Sequence, residues 1–220
     1  MSDMVEAGDR PLLILGTRTF AVEIADLAAD IAGVRVAGFV ENMEPERCRE
    51  TLQGLPVIWV DALAELAQTH SAVCGLGTTH RSRFTDQAAA HGIPFATLVH
   101  PLARVSRSSV LGEGTIVSVG AIIAAHTRLG RHVVVNRGAL IGHHTTIGDY
   151  VTIGPGANVA GNCRVGEATY IGIGAVVVDH VSIGVHSIIG AGAVVTRDVP
   201  DHVQVVGVPA KIVKENVAGK

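Results

Sequence analysis

The stretch Ile141-Gly142-His143-His144-Thr145-Thr146-Ile147-Gly148-Asp149-Tyr150-Val151-Thr152-Ile153-Gly154-Pro155-Gly156-Ala157 repeats one short pattern: an aliphatic residue, a glycine, two variable positions, and a small or β-branched residue. Outward from it the aliphatic position returns every sixth residue without a slip. It runs through Val105, Leu111, Val117, Ile123, Leu129 and Val135 on one side and Val159, Val165, Ile171, Val177, Ile183, Ile189 and Val195 on the other, sixteen residues in register. A period of six matches neither the roughly 3.6 residues of an α-helix nor the simple alternation of a strand. A fixed short period marks a solenoid, and a hexapeptide repeat reads as a parallel β-helix.

Each hexad offers one short extended segment and one corner. The aliphatic side chain points into a narrow core, and a small or β-branched residue follows four places on, as in Thr115, Ala121, Ala139, Thr145, Ala157, Thr169, Ala175 and Ala193. Glycine supplies the unusual dihedrals that a tight corner needs. Such coils hydrogen-bond along the axis at about 4.8 Å per layer.

Hydrophobic residues make up 48% of the 220-residue chain, but they are spread at period six. No apolar run approaches the roughly 20 residues of a membrane span, so membrane insertion is not expected. The opening residues, 1–10, are polar and acidic, and the apolar stretch after them, Leu12 to Leu15, has the length of a buried strand, not of a signal peptide. A net charge of −3 with 3% aromatic residues provides neither a basic stripe nor a stacking platform, which argues against nucleic acid as a partner. Cys48, Cys74 and Cys163 are widely spaced and odd in number, forming neither a disulfide framework nor a zinc ribbon, which suits a reducing cytoplasm.

Before about Pro101 the chain alternates short apolar strands with amphipathic helices. The pattern predicts strands at Leu12–Leu15, Val36–Val40, Val57–Val60, Ala72–Leu76 and Pro94–Leu98. It predicts helices at Phe20–Ala32, from an Asp61 cap through Gln68, and from about Arg81 to His91. This is a small α/β domain with a Rossmann-like parallel sheet. Such sheets bind ligands at the carboxyl ends of their strands, beside helix N-termini. Here those places are Gly16 to Phe20, Glu41 with Asn42, and Gly77 to Thr79. The loop Gly16-Thr17-Arg18-Thr19-Phe20-Ala21 lacks the second and third glycines of the dinucleotide fingerprint, which argues against hydride chemistry. Arg18 reads either as a phosphate ligand or as a solvated loop arginine. Glu41 reads either as an acceptor for ribose hydroxyls or as an ordinary turn acid.

The repeat sorts the histidines of the second half. His126, His144 and His180 share one column with Asn162, His132 and His186 share another, and His143 falls in a third with Ala125, Gly161 and Asp179. A zinc site would need three or four ligands converging at about 2 Å, whereas successive coils hold side chains layers apart. No metal is expected. Solvated or subunit-facing histidines are the alternative account of these columns.

The segment Val135-Asn136-Arg137-Gly138-Ala139-Leu140-Ile141-Gly142-His143-His144 resembles the active-site segment of the hexapeptide sugar acyltransferases. Nearly the whole chain resembles the bacterial family that joins a nucleotide-sugar-binding α/β domain to a left-handed β-helix. Gly154-Pro155-Gly156-Ala157, Ala160-Gly161-Asn162 and the tail Val206-Gly207-Val208-Pro209-Ala210-Lys211 add to the match. The resemblance implies triangular coils of three hexads, so that residues eighteen apart stack in about five coils. It implies a nucleotide-sugar-binding domain over residues 1–101, a left-handed parallel β-helix over 102–200, and a C-terminal tail over 201–220 packing on the β-helix. The implied activity is transfer of an acetyl group from acetyl-CoA to the amino group of a nucleotide-linked amino sugar. His143 is the implied general base, at a histidine suited to proton transfer near neutrality. The implied assembly is a homotrimer with active sites between subunits. Thr152, Ile173 and Ala191 match the cofactor contacts, Arg197 and Lys211 are candidate partners of CoA phosphates, and Arg18, Thr19, Phe20, Glu41, Asn42 and Gly77 fall at the substrate positions.

Two departures stand out. Many relatives flank the catalytic histidine with acidic residues, whereas here Gly142 and His144 flank it. A backbone carbonyl, Asn136 or a group from the adjacent subunit is left to orient His143. In the first domain, Arg18, Thr19 and Phe20 stand where relatives carry a glycine-rich loop with a histidine. Alternatives to sugar N-acetylation are O-acetylation of a sialic acid or similar sugar, a zinc lyase of the carbonic anhydrase type, and a non-catalytic sugar-binding scaffold.

Overall fold

The computed structural model describes residues 10–220. Two compact units are present: residues up to Gly77 together with Arg81–His100, and Thr78–His80 together with Pro101–Lys220.

In the first unit, β1 (Leu12–Leu15), β2 (Val36–Glu41), β3 (Thr51–Leu52), β4 (Leu55–Trp59) and β5 (Ser71–Cys74) form one sheet in the order β3-β4-β2-β1-β5. β4, β2, β1 and β5 run parallel. Every residue of β1, a central strand, and of β5, at the end of the sheet, is buried, as expected of a parallel sheet covered on both faces. The helix α1 (Thr19–Ala29) buries Ala21, Ile24, Ala25, Leu27 and Ala28, positions spaced along one helical stripe. Shorter helices α2 (Leu63–Leu66) and α3 (Ser82–Ala90) follow.

Several local expectations are corrected. Asp61 lies inside a 3₁₀ turn, Val60–Ala62, and makes no side-chain cap; α2 continues that turn from Ala62 and ends after one turn. Pro94–Leu98 joins this sheet only through a parallel bridge between Phe95 and Ala72, with Ala72 N–H on Pro94 O at 2.8 Å and Ala96 N–H on Ala72 O at 2.9 Å, and its last residue begins the two-residue strand Leu98–Val99. β3 pairs antiparallel with β4 around Gln53 and Gly54, both at positive φ, giving a hairpin that hydrophobic periodicity alone did not signal.

The second unit is a parallel β-helix. Residues eighteen apart pair in register, as in Ile123 with Ile141, Leu129 with Ile147, and Val135 with Ile153. The coils join through backbone bonds such as Ile122 N–H to Ala139 O at 2.9 Å and Leu140 N–H to Ala157 O at 2.9 Å. All sixteen hexad aliphatics except Val105 are buried; Val105, in the first coil, is paired through its strand on one side only. The small residues four places on are fully buried at the corners. Where that residue is threonine its hydroxyl donates to a carbonyl of the next coil: Thr115 to Gly130, Thr127 to Gly142, Thr145 to Ala160 and Thr169 to Gly184, at 2.7 to 3.0 Å. A buried hydroxyl is thereby satisfied while stapling neighbouring layers.

All three edges of the prism turn through the left-handed backbone region. One edge uses glycine in successive coils: Gly120, Gly138, Gly156, Gly174 and Gly192. A second uses His126, His144, Asn162 and His180, with φ of 57° to 62°. The third carries Gly114, His132, Tyr150, Ala168, His186 and His202. Histidine and asparagine are enriched among non-glycine residues in this region. Six of the eleven histidines are therefore corner residues, and of the seven from His126 onward only His143 has an ordinary backbone.

After Val195 the chain adds Gln204–Val206 in parallel to Ile188–Ile189 and then Lys211–Lys214 antiparallel to it. Residues 217–220 turn back along the third edge, with Val217 N–H on His202 O at 2.9 Å and Gly219 N–H on His186 O at 2.8 Å.

Ile153, fully buried between Val135 and Ile171, tests the prism core. Ile153→Ala is expected to cost about 2 to 5 kcal/mol in chemical denaturation, and a loss under about 1 kcal/mol would contradict its inward placement.

Candidate active site

His143 stands at the edge between the strands Leu140–Ile141 and Thr146–Ile147. Its ring lies flat against the next coil at Gly161: a Cβ there would sit 2.8 Å from His143 Cε1 and 2.9 Å from Nε2. Asn162 N–H donates to His143 O at 2.8 Å, which ties the two layers at this point. His143 Nδ1 faces His144 Nδ1 at 3.1 Å, with the two rings edge to face and their centroids 5.2 Å apart. His144 in turn packs on His126 at 4.9 Å. Asn136 is engaged elsewhere, its Nδ2 donating to Ile153 O at 3.1 Å, so the partner of the His143 ring is His144. His143 Nε2 makes no hydrogen bond among the described residues, and the side chain is exposed. A neutral imidazole with one nitrogen engaged and the other open is the arrangement a general base requires.

Ile173 and Ala191 line one groove of about 330 Å³ with Tyr170, Ile188, Gln204 and Lys220. Thr152, one coil before Tyr170 on the same face, is buried and does not line it. Lys220 is fixed by Thr79, whose N–H donates to Lys220 O at 2.6 Å and whose hydroxyl accepts from Lys220 N–H at 2.8 Å; its ammonium sits 4.1 Å over the Tyr170 ring. The seat of Lys220 on Thr79 depends on contacts between residues more than a hundred positions apart, which no pattern in the sequence signals. Arg197 and Lys211 line a separate cavity of about 390 Å³ beside Val205 and Pro209. The groove lies on the face of Tyr170 and Ile188 and at the corner after it, a different edge of the prism from the one that carries His143. Among the described residues no group of three or more His, Cys, Asp or Glu side chains is placed to hold a metal ion.

In the first unit, Gly16 turns the chain from β1 into α1 at φ 110°, and a Cβ there would meet Leu76 at 2.9 Å. The Thr17 hydroxyl donates to Glu41 Oε2, while Glu41 Oε1 accepts N–H bonds from Asn42 at 2.9 Å and Met43 at 2.8 Å. Burial raises the pKa of this carboxyl, but the hydrogen bonds from Thr17 and from the Met43, Asn42 and Glu44 N–H groups outweigh it and hold it below the usual carboxylate value. Glu41 thus anchors its own loop. Arg18, at the α1 N-cap, pairs with Glu44, which also receives Arg47 Nε at 2.6 Å. Arg18 and Arg47 thus share Glu44, with Glu41 and Glu50 also acting on Arg47, and Arg47 is a candidate that sequence reasoning missed. Asn42 Nδ2 donates to Gln87 Oε1 at 2.8 Å, Gly77 lies against Phe20, and Thr19 is exposed.

Gly161→Ala is expected to push the His143 ring off its seat and lower kcat at nearly unchanged Tm, because the colliding atoms end a side chain that can swing away. Glu41→Gln is expected to destabilise the first unit by about 1.5 to 3 kcal/mol at neutral pH, the usual range for charge-assisted hydrogen bonds. A group whose pKa is lower in the folded state contributes stability above its unfolded pKa and loses it as pH falls through the folded one. The difference between wild type and Glu41→Gln should therefore shrink below about pH 4.3, and a pH-independent difference would contradict the ionised assignment.

A family model described as bacterial transferase hexapeptide (six repeats) matches residues 126–161, the window that contains His143 and Gly161. No curated protein sequence matches the chain. Among solved structures, a histidine-to-asparagine variant of perosamine N-acetyltransferase from Caulobacter crescentus, in complex with CoA and GDP-perosamine, is 33% identical. That match has a TM-score of 0.86 over 93% of this chain and 97% of that one. The acetyltransferase domain of PglB from Neisseria gonorrhoeae, in complex with acetyl coenzyme A, is 32% identical with a TM-score of 0.87 over 94% and 100% of the two chains. WeeI from Acinetobacter baumannii is 25% identical with a TM-score of 0.82 over 93% and 100%. With about a third of its residues shared along nearly the full length of the perosamine N-acetyltransferase and the PglB acetyltransferase domain, the chain belongs to the bacterial hexapeptide-repeat sugar acyltransferases.

Proposed function

We propose that this protein transfers the acetyl group of acetyl-CoA to the amine of a nucleotide-linked amino sugar, with His143 as general base. The observation that carries this reading is the conformation of His143. Every other histidine from His126 onward occupies a left-handed corner that favours its residue type, whereas His143 has an ordinary backbone and an open Nε2. The similarity to an N-acetyltransferase in complex with CoA and GDP-perosamine supplies the substrate class.

In the reaction His143 Nε2 takes a proton from the sugar amine as the nitrogen lone pair attacks the thioester carbonyl. Collapse of the tetrahedral adduct breaks the C–S bond, and the departing CoA sulfur receives the proton back from the imidazolium. Backbone N–H groups at the coil corners are candidate donors to the oxyanion. Acetyl-CoA fits the groove that Ile173 and Ala191 share, with Arg197 and Lys211 for its phosphates; the burial of Thr152 leaves that residue a packing role. The nucleotide sugar is assigned to the carboxyl edge of β1, β2 and β5. There Arg18 and Arg47 face phosphate, while Thr19, Phe20, Asn42 and Gly77 form the rim and Glu41 shapes the loop from inside.

The assembly is a homotrimer. Its support is that groove and His143 lie on different edges of the prism within one chain, so that acetyl-CoA in the groove meets the His143 of a neighbouring copy. The exposed aliphatic stripe Ile122, Leu140 and Val176, 37% to 43% exposed on the face that runs up to the His143 edge, is the surface such a neighbour would cover. Three unpaired cysteines suit a cytoplasmic setting, and no described helix is long and apolar enough to cross a membrane.

Thiol release from acetyl-CoA with a panel of UDP-, GDP- and dTDP-linked amino sugars and their hydroxyl counterparts tests the reading. Release with an amino sugar should fall about 10²- to 10⁴-fold in His143→Ala. Equal rates in both proteins would remove His143 as the base, and release with hydroxyl sugars alone would move the acceptor from nitrogen to oxygen.

A further inference from the structure

We propose that His144 is the positioning residue of the active site: it accepts the Nδ1–H of His143 and so fixes the tautomer that leaves His143 Nε2 free to take a proton. The inference rests on the reading of His143 as base. At 3.1 Å between two Nδ1 atoms, only one proton lies between the rings. If His144 donated it, neutral His143 would carry its own proton on Nε2 and have no lone pair facing outward. If His144 accepts it, Nε2 is bare, and the bond survives and strengthens when His143 becomes a cation, because a charged donor makes the stronger hydrogen bond. Only the second arrangement serves both halves of the catalytic cycle.

The His144 ring is held for this task on two sides. Its backbone is locked in the left-handed corner at φ 57°, with its N–H on Ala125 O at 3.0 Å, and its ring packs on His126. His143 is seated against Gly161. The titratable groups that share these columns are His126 one coil before, and Asp179 and His180 two coils on, the last two paired with each other at 3.6 Å. Neither residue next to His143 in the chain is a carboxylate, so the acceptor beside the base is an imidazole.

Two substitutions separate this role from a structural one, because both suit a left-handed corner. His144→Gly removes the acceptor. His144→Asn restores one, since the Asn Oδ1 is bonded to Cγ as the histidine Nδ1 is, and Asn162 already occupies the equivalent corner one coil on at φ 57°. His144→Gly should lower kcat about 10- to 10²-fold with KM and Tm nearly unchanged, a part of what a general base contributes, while His144→Asn should stay within about threefold of wild type. Nitrogen-15 NMR of histidine-labelled protein at a pH where both rings are neutral should find the His143 proton on Nδ1 in wild type and His144→Asn, and moved to Nε2 in His144→Gly. Wild-type kcat in His144→Gly alongside an inactive His143→Ala would overturn the role of His144 while sparing the base. A His143 proton found on Nε2 in wild type would overturn it as well. Full activity in His143→Ala would remove the base itself, and the positioning role with it.

Discussion

Stacking at an interval of eighteen residues is the constraint on which the rest of the second unit depends. Each coil offers its backbone N–H groups to carbonyls of the next, as in Thr152 N–H to Thr169 O at 3.0 Å and Val134 N–H to Val151 O at 2.9 Å. The inward aliphatics sit directly over one another, so one insertion or deletion would turn every later side chain to the wrong face. Because each coil buries its apolar residues only against its neighbours, the register must be kept along the whole prism. That is why an unbroken hexad is seen from Leu111 to Val195 with every sixth-position aliphatic buried.

The same geometry explains the histidines. A coil that closes in three short sides must reverse direction at each edge through positive φ, which costs an ordinary L-residue roughly 1 to 2 kcal/mol. Glycine avoids that cost along one edge; histidine, asparagine, tyrosine and alanine accept it along the others, where rings stack, as His132 on Tyr150 at 5.3 Å and His186 on His202 at 5.1 Å. A rich supply of imidazoles is thus a product of coil closure, and abundance says little about chemistry. What distinguishes His143 is its place beside a corner: its backbone is relaxed, and its ring is oriented by His144 and by the bare backbone of Gly161.

In the first unit the legible part was the sheet. β1, β2 and β5 are short, largely apolar runs buried in the sheet, and the loops at their carboxyl ends were identifiable from the alternation of strands and helices. The roles within those loops were not. Glu41 looked available to a ligand, yet Thr17 and its own loop N–H groups take up its carboxylate; Arg18 looked solitary, yet Glu44 and Arg47 share its charge. Loop side chains choose partners across turns whose dihedrals depend on several residues at once, and no periodic signal encodes them.

By itself, the sequence determined the solenoid class of fold from its period of six, and its resemblance to the hexapeptide sugar acyltransferases added the eighteen-residue stacking and singled out His143. Only the tertiary structure decided which histidines are corners, that His144 faces His143 through Nδ1, and that residues 217–220 return so that Lys220 lines the groove of Ile173 and Ala191. Those outcomes turn on backbone handedness at single residues and on contacts between distant segments, which residue type and spacing do not specify.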